Sequence, residues 1–131
     1  MSFSLDFVPQ TFWRNVLLTV ILLAPGIAVA EETPLTIGIK AIHTEWVCLD
    51  KEAAEAVMVT DVDEGFEAAT YGINLLAAFG LCARAEVELR PRRVVKTAKV
   101  PRGTLSIVEV NIGGNTLFVI TTTRVVDGVA I

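Results

Sequence analysis

The stretch Thr60-Asp61-Val62-Asp63-Glu64-Gly65, set midway between Cys48 and Cys82, decides how the chain folds. Apolar residues recur at helical spacing on both sides of it: Ala54, Val57, Met58 and Val62 after the N-cap candidate Asp50, then Phe66, Ala69, Ile73, Leu76 and Ala77 before Gly80. Read without a break, the pattern is one helix from Asp50 to Gly80. About 30 residues at a rise of about 1.5 Å would hold its two ends some 45 Å apart. Cysteines joined by a disulfide have Cα atoms about 5.5 Å apart. A bridge between Cys48 and Cys82 therefore requires a fold-back. Residues 60–65 are its natural place, because Gly65 lowers helix propensity by about 1 kcal/mol. Asp61 and Glu64 there fit the spacing of a capping box. The spacing predicts a helical hairpin with arms of roughly 11 and 15 residues, closed at Gly80 with Leu81 placed for the apolar contact of a C-cap.

Whether the bridge forms depends on where the chain goes. Arg14 precedes a 15-residue apolar run, Val16 to Ala30, interrupted by Thr19 and Pro25-Gly26 and ending in Ala28-Val29-Ala30. That is the pattern of a secretory signal with cleavage expected after Ala30. A permanent membrane anchor is the competing reading, but a spanning helix needs about 20 apolar residues. We therefore expect residues 1–30 to be a cleavable signal peptide, 31–131 a single small domain, and the mature chain to be periplasmic or secreted with no stable membrane span. Two cysteines in an exported chain favour a disulfide. Closing a loop of about 35 residues contributes roughly 3.8 kcal/mol in the chain-entropy model.

Beyond Cys82 the period changes to two. Arg84 to Arg90 alternates strictly, with Ala85, Val87 and Leu89 on the inner face, and Pro91 is expected to end that strand or mark an edge. Val94 to Val100 reads as a further strand before a turn at Pro101-Arg102-Gly103. Leu105 to Ile112 and Thr116 to Thr123, joined through Gly113-Gly114-Asn115, form a β-hairpin. Leu35 to Lys40 is a possible first strand, weakened by Gly38. The fold class is α+β: a helical hairpin clamped by Cys48 and Cys82, packed on a three- or four-stranded antiparallel sheet.

The order of leader, Cys48, helical stretch and Cys82, then strands with Ile107-Val108-Glu109-Val110 and Gly114 to Thr121, resembles that of short exported bacterial proteins of unknown function. The terminal strands are also similar to a bacterial SH3-type barrel. That resemblance implies binding of a ligand or wall fragment and carries over no catalytic residue.

Charge is unevenly placed within a formal net charge of −4. Glu45 to Glu67 holds eight acids against Lys51 alone, while Arg84 to Arg102 holds seven bases against Glu86 and Glu88. The candidate interaction surface is Arg90, Arg92, Arg93, Lys96 and Lys99, together with His43 and Trp46 from the mixed cluster His43-Thr44-Glu45-Trp46. In that cluster Trp46 is expected to pack beside the disulfide, with His43 exposed. The partner is expected to be a protein or anionic cell-envelope material, and export argues against nucleic acid.

Reactive groups are few, with one His, one Ser, one Tyr and one Trp after Ala30. Ser106 sits inside a strand without a nucleophile elbow. One His and two distant Cys make no zinc spacing, and Asp61-Val62-Asp63 fails as a calcium loop because Phe66 and Gly72 stand where Gly and Glu are needed. No cofactor and no metal are expected. The leading expectation is a non-enzymatic interaction or accessory module, possible subtypes including an inhibitor of a cell-wall hydrolase. The other class is a small carboxylate-dependent hydrolase of the envelope, which a pocket with two converging acids would favour.

Overall fold

The computed structural model describes residues 33–128; the expected signal and its cleavage point lie outside them. In chain order the elements are β1 (Leu35–Thr36), β2 (Ala41–Cys48), α1 (Lys51–Glu64), α2 (Phe66–Ala78), β3 (Cys82–Val100), β4 (Gly103–Ile112), β5 (Asn115–Thr121) and β6 (Val125–Val126). β2, β3, β4 and β5 close into an antiparallel barrel, and β1 pairs parallel with β6. The fold is α+β, with the helical hairpin inserted between β2 and β3.

The hairpin breaks at Gly65, whose φ of 105° is a conformation that glycine adopts without penalty. Its two arms are 14 and 13 residues long. Asp50 caps the first, its Oδ1 accepting from the Ala53 N–H at 2.9 Å. The capping-box reading of Asp61 is corrected: Asp61 lies within α1, Gly65 stands at the N-cap of α2, and no side chain caps that helix. The second arm ends in a Schellman motif, the Leu81 N–H donating to Leu76 O at 2.9 Å and the Gly80 N–H to Ala77 O at 3.0 Å. The chain then enters β3 with Cys82 directly opposite Cys48. The two cysteines form a disulfide across 34 positions of sequence, clasping the base of the hairpin.

β3 is one strand of 19 residues and does not stop at Pro91. Its first half pairs with β2, from Cys48↔Cys82 to Ala41↔Leu89; its second half pairs with β4, from Arg90↔Asn111 to Val100↔Gly103. Register shifts between Pro91 and Arg93 and between Val94 and Lys96 divide the β3–β4 ladder. A bulge tolerates a residue with no N–H to give and bends the strand, so Pro91 falls where the chain turns a corner of the barrel. The Pro91 carbonyl still accepts from Gly38 N–H at 2.8 Å.

The first long strand is β2, and the expected strand over residues 35–40 shrinks to the two residues of β1. The β-hairpin turns on Gly113 and Gly114 alone, both with positive φ, and Asn115 already belongs to β5. Closure rests on three pairs between β2 and β5: Trp46↔Ile120, Val47↔Val119 and Cys48↔Phe118. Two apolar clusters follow from the alternation of side chains. Val47, Ala85, Val87, Leu89, Val108, Val110, Leu117 and Val119 fill one. In the other, Leu105, Ile107 and Ile120 pack with Ala54, Val57, Met58, Ala69 and Ile73 of the helices.

Candidate functional site

Two concave regions stand out among the described residues. The first, of about 420 Å³, runs between the helical hairpin and the end of the β2–β5 seam, with Glu45, Trp46, Asp61, Phe66, Arg84 and Arg102 among its walls. Asp61 is only 4% exposed. It follows Ala54, Val57 and Met58 at spacings of three, one and three residues, which places it on the buried stripe of α1. Arg102, from the turn between β3 and β4, meets both of its oxygens, donating from Nη2 at 2.7 Å and from Nη1 at 3.4 Å. The same guanidinium lies 4.1 Å from the centre of the Phe66 ring, a cation–π contact of about 0.5–1 kcal/mol. Arg102 thus ties the β3–β4 turn to both arms of the hairpin. A buried charge requires such a partner, because leaving it unpaired would cost several kcal/mol on the order of 3–5.

Glu45 is the second buried carboxylate of this cleft. It alternates with Val47 and His43 on the inward side of β2, and its Oε2 accepts from the Thr123 hydroxyl at 3.2 Å. Thr121 in turn accepts from the Thr123 N–H at 2.8 Å. His43 is buried, 6% exposed, and desolvation lowers its pKa below the ordinary 6.5. The expectation of an exposed His43 is therefore wrong. β2 turns it to the side that carries Val47, so it belongs to no docking surface. Trp46 faces the other way, half-buried against the cluster that contains Cys48 and Cys82, and it lines the cleft.

The second region is a groove of about 630 Å³ walled by Lys40, Glu88, Arg90, Arg92, Asn111, Gly113 and Gly114. Lys40 leads into β2, Arg90 sits opposite Asn111, and Arg92 occupies the register shift that leaves it outside the ladder. Gly113 and Gly114 put no side chain in the groove, and Gly114 N–H donates to Asn111 Oδ1 at 3.2 Å, holding the turn. Three cations thus face one acid, Glu88, across an exposed surface.

The residues singled out as one surface separate into several places. Arg90 and Arg92 share the groove. Arg93 is occupied by Glu109 at 2.9 Å. Lys96 and Lys99 are exposed on the far half of β3 and line neither region. Sequence reasoning missed Lys40, which only the fold brings to Arg90, and the Asp61–Arg102 pair. The position of Asp61 seven residues after Ala54 was a legible sign of burial; nothing in the sequence names Arg102, 41 residues away, as its partner.

Among the described residues no group of three or more His, Cys, Asp or Glu side chains is arranged to hold a metal ion. None of their helices is long and apolar enough to cross a membrane. Comparison of the chain with models of known protein families, with curated proteins and with solved structures finds no match.

Proposed function

We propose that this is an exported, disulfide-clamped binding module without catalytic activity, and that the groove of Lys40, Arg90 and Arg92 is where it takes hold of an anionic partner. The convergence of three cations on a groove of about 630 Å³ bordered by a single acid carries this reading. Positive potential focused in a concavity raises the local concentration of carboxylates or phosphates, and arginine presents a planar fork suited to either. The disulfide supports an oxidising compartment, since such bonds persist in exported proteins. The resemblance of the terminal strands to a bacterial SH3-type barrel points the same way, towards capture of a ligand or envelope fragment.

The test is retention of the purified protein on two resins, one carrying polyglutamate and one a polyphosphodiester of the wall-polymer type. The native protein is expected to bind one of them and to elute with salt, because surface attraction is screened over about 10 Å at about 0.1 M. Arg90→Glu with Arg92→Glu abolishes retention, while Lys96→Glu with Lys99→Glu leaves most of it. Equal loss from both double variants would show general basicity rather than a groove.

One observation favours the second class, a small carboxylate-dependent hydrolase: Glu45 and Asp61 line the same cleft. Both oxygens of Asp61 are engaged by Arg102, which commits that acid to an ion pair rather than to proton transfer, and Glu45 alone does not make the pair of carboxylates this class uses. The binding reading is the stronger.

A further inference from the structure

α2 is apolar around nearly its whole circumference. Glu67, Thr70 and Asn74 form one polar wedge, and Ala69 and Ile73, with Leu76 beside them, pack inward. Flanking that packed face, Ala68, Tyr71, Gly72, Leu75 and Phe79 recur at three- and four-residue spacing as a second stripe. Tyr71 is 69% exposed, Leu75 44% and Phe79 43%; on α1, Val59 and Val62 are each about half exposed. Single exposed apolar residues are ordinary on protein surfaces. A helix whose apolar surface extends well beyond the face it packs is not, because a helix apolar all round is normally buried. A patch of this kind rimmed by polar residues marks a docking surface.

The rim indicates the chemistry of the occupant. Glu52, Asp63, Glu64 and Glu67 are exposed and Glu55 is half-buried on the same hairpin, against the single cation Lys51; the remaining acid, Asp61, is buried and paired with Arg102. We infer that the outer surface of the helical hairpin docks a cationic amphipathic segment of a partner protein, its apolar side on Tyr71, Leu75 and Phe79 and its Lys or Arg side chains on the acids. Charge complementarity selects this occupant. A second copy of the chain would bring two acidic rims together, and an anionic membrane surface would be repelled in the same way. The site is separate from the groove of Lys40, Arg90 and Arg92, and the two carry opposite charge, so neither inference depends on the other.

The probe is a synthetic helical peptide of about 18 residues built from Leu and Lys, with a Leu and Glu counterpart of identical apolar pattern as control. Calorimetry with the intact disulfide-bonded protein is expected to show binding of the Leu/Lys peptide, weakening by about tenfold as salt rises from about 0.05 M to about 0.5 M. Leu75→Asp and Tyr71→Asp, at exposed positions where the fold is kept, each reduce the affinity by about tenfold or more, equivalent to about 1.4 kcal/mol. Glu64→Lys with Glu67→Lys also weakens binding and flattens its salt dependence. Several results would overturn the inference: no binding, equal binding of the Leu/Glu peptide, binding unaffected by Leu75→Asp, or sedimentation showing a dimer that Leu75→Asp dissociates. The last would identify the occupant as a second copy. Circular dichroism of each variant separates loss of binding from loss of fold.

Discussion

His43 is the residue whose environment departs furthest from what its chemistry suggests. It is the only imidazole in the chain, and β2 turns it inward opposite Val87, with Ala85 and Leu89 on the same face. Burial disfavours its charged form, so its folded pKa lies below the ordinary 6.5. The unfolded chain therefore takes up a proton more readily than the folded one as pH falls through 6.5. Folding free energy is lost on acidification through that value and the loss levels off below the folded pKa, with a slope of at most about 1.4 kcal/mol per pH unit. Urea midpoints measured between about pH 7 and about pH 5 are expected to fall more steeply for the native chain than for His43→Gln. Parallel slopes would show that His43 does not contribute. The same residue shows why sequence reading stopped short. A His next to Thr, Glu and Trp has the composition of a surface cluster, and only the closing of β2 into a barrel makes its odd-numbered positions interior. Asp61 is the opposite case, a charge whose helical spacing indicated burial but whose cation is supplied by a distant turn.

At the level of elements, the hairpin was legible because three independent local signals agree: apolar spacing of three and four, an N-cap at Asp50, and Gly80 followed by Leu81. The break at Gly65 followed from the distance the two cysteines must share. Its φ of 105° is tolerated by glycine, and no heavy atom lies within 4 Å of where a Cβ would stand. Gly65→Ala is thus a test of backbone strain free of steric clash. It is expected to destabilise the protein by about 1–3 kcal/mol, read from the shift of the denaturant midpoint. An unchanged midpoint would mean that the two arms can rejoin as a bent helix without cost. β3 was harder to read. Pro91 has the local chemistry of a strand end, and a sequence window cannot show that register shifts on either side of Arg93 let the strand pass through proline and change partner from β2 to β4.

For the molecule as a whole, sequence patterning conveyed the α+β class, the disulfide and the β-hairpin, but not closure of the sheet. Closure is non-local: it depends on three pairs between β2 and β5, and β2 was the strand hidden in a polar cluster. The disulfide lies at that seam, since Cys48 faces Phe118 on one side and Cys82 on the other. Cys48→Ser with Cys82→Ser removes a constraint on a loop of about 35 residues, and the chain-entropy value of roughly 3.8 kcal/mol is the expected loss of unfolding free energy. Equilibrium denaturation of the oxidised protein against the double variant measures it; a difference below about 1 kcal/mol would place the clasp's role elsewhere than in stability.

The two-residue pairing of β1 with β6 has a geometric consequence. Leu35 lies beside Val125 and Thr36 beside Val126, one strand spacing of about 4.8 Å apart. The chain therefore enters and leaves the fold at the same pole, and the two strands run in the same direction there. A pull applied to the preceding segment and to the following one would load this pair in shear, with its few hydrogen bonds sharing the force at once, before any strain reached the barrel seam or the hairpin. Mechanically, the small parallel ladder is a latch in front of the barrel, and it isolates both candidate docking faces from tension on the ends of the domain.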